Sequence, residues 1–190
     1  MIIGITGGTG CGKTTLLREI EARGGLVLDC DAVYHELLDR DDALLKAIDH
    51  RFPGTVVDKK LERKKLGAIV FNDEQALRDL NAITHGAIKA EILSRLAEKP
   101  ALAAIDAIAL FEGGLAELCD TTVAVCAPAE TRVARLIQRD GITREYAENR
   151  IRAQKPEEWF REMCDHTLYN DGPRAEFEEQ CRAFLDEIVK

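Results

Sequence analysis

The sequence predicts an α/β fold: a five-stranded parallel sheet with helices on both faces. Three observations predict it. Short apolar runs alternate with segments of helical period along most of the chain. A glycine-rich turn joins the first apolar run to the first helical segment. A long, mostly helical stretch separates the second apolar run from the third, and it reads as a lobe inserted into an otherwise regular pattern.

Taken in order, "IIGIT" (2–6) is a buried strand and 13–23 a helix; "LVLD" (26–29) is a second strand. From 31 to about 100 the pattern is helical, broken at "RFPGTVVD" (51–58). "ALAAIDAIALFE" (101–112) begins as a third strand, with Glu112 at its end, and "TTVAVC" (121–126) is a fourth that Pro128 leaves. Helices follow at 130–140, stopped by Gly141, and at 143–154. "HTLYN" (166–170) is the fifth strand, and "NDGP" turns the chain into an amphipathic helix over 174–189. The expected organisation is one domain over 1–190, with an inserted lobe at about 32–100 and a helical lid at about 136–155.

Composition narrows the classes. With 190 residues, 46% hydrophobic and 32% charged, the chain has enough apolar material for a sizeable core. A net charge of −8 argues against broad binding to nucleic acid or membrane surfaces. No apolar run approaches the roughly 20 residues of a membrane span. The start, "MIIGITGG", has no basic leader segment, so a cytoplasmic protein is expected. Six cysteines at 11, 30, 119, 126, 164 and 181 make no CxxC pair and read as scattered reduced thiols. A monomer is the simplest expectation for the assembly.

The glycine-rich turn carries the chemistry. Gly7, Gly12, Lys13 and Thr14 fit G-x-x-x-x-G-K-[ST], with a strand leading in and a helix leading out. Bare backbone at Gly8, Gly10 and Gly12, with Thr9 and Cys11 between them, allows successive N–H groups to turn toward a phosphate. The helix that opens at Lys13, Thr14 and Thr15 adds its positive end. Lys13 can reach the β- and γ-phosphates, and the Thr14 hydroxyl can ligate Mg²⁺. An overlapping dinucleotide reading leaves Lys13 and Thr14 unexplained. The ligand class is therefore a nucleotide polyphosphate. No N-K-x-D segment selects guanine, and small size, an inserted lobe and a basic late segment suggest a small-molecule kinase.

Several segments then match, in order, those of the dephospho-coenzyme A kinase family, which the chain resembles over nearly its whole length. They are "GITGGTGCGKTT" (4–15), "LVLDCDAVYHELL" (26–38), "RKKLGAIVFND" (63–73), "LRDLNAITHGAIKAEI" (77–92), "DAIALFEGGL" (106–115), "RVARLIQRDGITREYAENRIRAQ" (132–154) and "YNDG" (169–172). The chain departs from the family pattern at Gly86 and Ile108, where proline is usual at turns, and at Thr131, often glutamine. The resemblance implies transfer of the ATP γ-phosphoryl group to the ribose 3′-hydroxyl of dephospho-coenzyme A. Another nucleotide or small-molecule kinase, and an ATP-binding regulator without transfer, are the alternatives.

Such a transfer needs positioning, cations around the moving group and an acceptor for the hydroxyl proton. Asp31 is the candidate proton acceptor; capping a helix over 32–39 is its structural alternative. Asp29 either orients it or helps surround the metal, or it simply ends a strand. His35, one helical turn on, can face the same way. Asn81, Thr84, His85 and Glu112 match the family's acceptor-side segments. Asp106 reads equally as a partner of hydrated Mg²⁺ or as a strand-interior structural carboxylate. Residues 132–155 hold seven Arg or Lys against three acidic residues, a local positive region in an acidic chain. Within it Arg139 is the choice for the transferred phosphate, while Arg132 and Arg135 read as surface ion-pair formers. Asn170 is placed to meet the adenine.

Overall fold

The computed structural model describes residues 1–189. They divide into two compact units. The first comprises Met1–Leu28, Pro100–Leu110 and the chain from Leu115 on; the second comprises Asp29–Lys99 and Phe111–Gly114.

The elements are β1 (Ile2–Thr6), α1 (Lys13–Ala22), β2 (Leu26–Asp29), α2 (Cys30–Arg40), α3 (Asp42–Arg51), β3 (Val56–Val57), β4 (Lys60–Leu61), α4 (Arg63–Val70), α5 (Glu74–Leu96), β5 (Ala103–Asp106), β6 (Thr121–Cys126), α6 (Ala129–Asp140), α7 (Arg144–Arg152), α8 (Glu157–Met163), β7 (His166–Tyr169) and α9 (Arg174–Ile188). A 3₁₀ turn spans Ala116–Leu118. Five strands form one parallel sheet in the order β2-β5-β1-β6-β7, as the alternating pattern predicts. Central β1 pairs in parallel with β5 (Ile3 opposite Ala104) and with β6 (Ile5 opposite Val123). The chain moves from β1 to one side and later crosses to the other. That is the point where open α/β sheets bind ligands, beyond the carboxyl ends of their strands.

Strand parity decides what each face meets. Ile3 and Ile5, with Ala104, Val123 and Val125, join Leu16, Leu17 and Ile20 of α1 and Phe177, Cys181, Phe184 and Leu185 of α9 in one core. The opposite parity carries Gly4, where a side chain would press on Cys119 Sγ at 2.8 Å, and Ala124 and Cys126, which pack on Phe160 of α8. Val133, Leu136 and Ala147 seal α6 against α7.

The second unit is helical around buried Leu37, Leu38, Leu44, Ile48, Phe52, Leu66 and Ile92. Asp29, Asp41 and Asp73 cap α2, α3 and α5 with their own carboxylates. Three features differ from expectation. The break at 51–58 contains a two-residue strand, β3, that pairs antiparallel with β4 across Asp58 and Lys59, both at positive φ. The third strand stops at Asp106, and Glu112 lies six residues beyond it among turns, because the backbone of Leu115 and Ala116 folds back on Leu110 O. Gly86 sits inside the 23-residue α5 and shapes no turn. Among the described residues no helix is long and apolar enough to cross a membrane.

Candidate active site

The phosphate-type loop runs from the end of β1 to the start of α1. Gly7 has φ 135°, and a methyl group there would lie far inside contact with Val125 O. Gly12, with φ 97°, is the left-handed residue on which α1 starts. Lys13 opens the helix. Its Nζ donates to Gly7 O at 3.1 Å and lies 3.9 Å from Asp106 Oδ1. Asp106 therefore ends a strand beside the lysine rather than occupying a strand interior. Thr14 follows, exposed, in the first turn of α1, where N–H groups have no intrahelical acceptor.

The outer side of the loop is braced by residues distant in sequence. Arg132, only 6% exposed, donates from Nε to Thr9 O at 2.9 Å. Arg135 NH1 donates to Gly10 O at 3.2 Å and Cys11 O at 3.3 Å, and its NH2 to Asn170 Oδ1 at 2.9 Å. Neither arginine is a surface ion-pair former, as the charge run suggested; both satisfy loop carbonyls, and this leaves the positive rim facing the loop. Asn170 is buried, and its Nδ2 donates to Cys11 O at 2.8 Å. Its carboxamide is engaged by the loop and by Arg135, so the residue expected at the adenine also braces the loop. Cys11 is buried, and burial pushes its thiol upward against the opposing charges of Arg132 and Lys13.

Arg139 lies one turn further along α6, with its side chain 61% exposed. It donates from Nε to Asp140 Oδ1 at 2.7 Å, and Arg150 of α7 donates to Asp140 Oδ2 at 2.7 Å. The hydrogen bond from Arg139, reinforced by Arg150, holds the Asp140 carboxyl down at about 2. The pair ties α6 to α7 around the left-handed Gly141.

In the second unit, the helix cap considered for Asp31 is supplied by Asp29. Asp29 Oδ1 accepts from the N–H groups of Asp31 (2.9 Å) and Ala32 (3.2 Å), so Asp29 is the cap and the helix begins at Cys30, earlier than expected. Asp31 stands in the first turn with its carboxylate exposed. His35, four residues on, shares a hydrogen bond between Nδ1 and Arg63 NH2 at 3.1 Å. Arg63 was not singled out in the sequence, although it opens the segment 63–73 that resembles the family's acceptor side. Asn81 is exposed and His85 half-buried, one turn apart on α5, and buried Thr84 returns its hydroxyl to Leu80 O at 3.0 Å. Glu112 is exposed in the 111–114 segment.

All six cysteines are free. Burial pushes Cys119, Cys126 and Cys181 up to about 12 and Cys164 to about 11, which leaves these thiols protonated at neutral pH. Among the described residues no group of three or more His, Cys, Asp or Glu could hold a metal. The hard oxygen donors beside Lys13, the Thr14 hydroxyl and the Asp106 carboxylate, fit an ion that takes few protein ligands and keeps its remaining coordination for water and phosphate, as Mg²⁺ does.

Known proteins place this arrangement. The family model described as dephospho-CoA kinase matches residues 1–176. A protein named dephospho-CoA kinase from Corynebacterium diphtheriae is 36% identical over 187 residues, covering 95% of this chain and 94% of its own. The crystal structure of TT1252 from Thermus thermophilus superposes with a TM-score of 0.84 at 33% identity, covering 100% of this chain and 98% of that one. A shikimate kinase from Bacteroides thetaiotaomicron, at 16% identity and a TM-score of 0.59, shares the fold. With the match running over residues 1–176, the chain belongs to the dephospho-CoA kinase family, enzymes that phosphorylate an alcohol group in the final step of coenzyme A biosynthesis.

Proposed function

We propose that the chain carries out its family's reaction, ATP plus dephospho-coenzyme A giving ADP plus coenzyme A, with the residue roles that follow. The observation that carries the reading is the loop itself: Lys13, the first residue of α1, is held at the loop's mouth by Gly7 O and lies beside Asp106. Gly8 to Gly12 wrap the phosphates and Lys13 neutralises the β- and γ-oxygens. Thr14 and Asp106 are the residues that would hold Mg²⁺, which supplies charge neutralisation for the phosphates when bound.

Asp31 takes the proton of the 3′-hydroxyl and orients that oxygen for in-line attack. Asp29 holds the start of α2 on which Asp31 stands. His35, Asn81, His85 and Glu112 serve the acceptor. Arg139 meets the charge of the transferring group; it is exposed on the lid, with its guanidinium donating to Asp140. Closing such a lid excludes water and limits ATP hydrolysis. The protein works as a cytoplasmic monomer without nucleic acid or membrane partners.

The direct test is the mass of the product formed from ATP and dephospho-coenzyme A. Gain of one phosphoryl group on the acceptor, with stoichiometric ADP, is expected. Transfer to a different alcohol in a parallel acceptor screen would reassign the substrate. ATP binding with no acceptor-dependent ADP would make the chain a regulator.

A further inference from the structure

The lid ends on a residue that reaches back to the phosphate loop. Gln154, just beyond α7, accepts through Oε1 from the Thr9 N–H at 2.9 Å and from Arg132 NH2 at 2.9 Å. The same guanidinium donates from Nε to Thr9 O at 2.9 Å. Thr9 is thus held at both its N–H and its C=O by one closed set of three hydrogen bonds. The guanidinium also lies flat against Gly8, where a methyl group would press on NH1 at 3.0 Å and more closely on NH2.

Thr9 has Gly8 and Gly10 on either side, so the local chain imposes little on the orientation of its peptide groups. Rotation there would re-aim the neighbouring N–H groups that a triphosphate needs. The clamp supplies the orientation that the sequence of the loop does not. It draws on α6 through Arg132 and on the end of the lid through Gln154.

We propose that Gln154 is a positioning residue for the nucleotide: acting through Thr9 and Arg132, it fixes the phosphate loop in its binding form before ATP arrives. The inference rests on the reading of this loop as the ATP site. Pre-organisation of this kind benefits the ground state and the transition state alike. Its loss therefore appears in ATP affinity and in KM for ATP, and leaves turnover at saturating substrate unchanged.

The test compares Gln154→Met, which keeps length and packing but has no acceptor oxygen, with Gln154→Glu, which keeps the acceptor for both donors. ATP affinity is measured by calorimetry without the alcohol acceptor, turnover at saturation, and Thr9 amide hydrogen exchange on the nucleotide-free chain. In Gln154→Met the ATP Kd is expected to rise roughly five- to tenfold, the loss of about one hydrogen bond's net contribution. Thr9 exchange should quicken while amides of β1 and α1 keep their protection. Gln154→Glu should stay close to the parent in both. The proposal is overturned if Gln154→Met binds ATP like the parent, if Met and Glu weaken it equally, if turnover falls at unchanged affinity, or if Thr9 exchange does not change. Because exchange is read without nucleotide, a chain that bound no ATP would refute the site reading and leave the clamp separately measured.

Discussion

Replacing Asp31 by asparagine separates chemistry from architecture, because the structure assigns the helix cap to its neighbour. Asp29 Oδ1 takes the two N–H groups at the start of α2, and the Asp31 carboxylate stands exposed. Asp31→Asn removes only a favourable charge from the first helical turn. That is worth about 0.3–1 kcal/mol, or at most roughly 2–4 °C in a chain of this size. Asp29→Ala removes both capping bonds and costs about 1 kcal/mol, again roughly 2–4 °C. The two variants therefore melt close together and differ in turnover. General-base contributions run to roughly 10²–10⁴-fold, and a loose phosphoryl-transfer transition state needs little early proton removal, so Asp31→Asn should lose about 10²-fold. Steady-state kinetics with dephospho-coenzyme A, ATP calorimetry and a melting curve make the comparison. Turnover within about threefold of the parent, well short of that general-base loss, would remove Asp31 as the proton acceptor and bring Asp29 forward. A collapse of ATP binding would instead put the carboxylate in the metal's surroundings.

Lys13→Ala should lower turnover by on the order of 10²-fold or more, since a charge aimed at the moving phosphoryl group is lost; near-normal turnover in a folded variant would take the loop out of the mechanism. Arg139→Ala should lower turnover more than ATP affinity, because an exposed lid cation meets charge mainly after closure; the reverse pattern in kinetics and calorimetry would refute this. Gly7→Ala should cost roughly 2–6 kcal/mol, combining strain at positive φ with crowding against Val125 O. Gly86→Ala, in open helical space, should gain about 0.5–1 kcal/mol; denaturant unfolding of the two should move in opposite directions.

What was legible in the sequence follows the range of the interactions. The five strands are apolar runs bounded by turn residues, and all five lie within a residue or two of expectation apart from the third. That strand was read too long because Ala107, Leu110 and Phe111 continue an apolar pattern beyond Asp106; Ala107 still donates its N–H to Ile5 O and buried Leu110 lies beside Gly4 of β1. The seven-residue α8 was not identified, being too short to establish a period. The loop's motif was plain because its logic is local. Its braces were not: Arg132 meets Thr9 across 123 positions and Asn170 meets Cys11 across 159, and nothing near either residue announces a carbonyl partner. A cap was the structural alternative for Asp31 because two aspartates flank the helix start, and only backbone geometry decides that Asp29 faces the N–H groups.

The guanidinium rim also bears on how a polyanion finds this protein at all. ATP approaches a molecule of net charge −8, which repels it at long range. Arg132, Arg135 and Lys13 are concentrated at one sheet edge, so their attraction acts over a short distance. At about 0.01 M salt fields reach roughly 30 Å, and the repulsive whole is felt. Near 0.15 M the reach shrinks to about 8 Å, and the approaching triphosphate senses chiefly the local cations. Above 1 M even these are screened. Nucleotide capture followed by stopped flow should therefore pass through a maximum with ionic strength, where a uniformly basic binder would only decline.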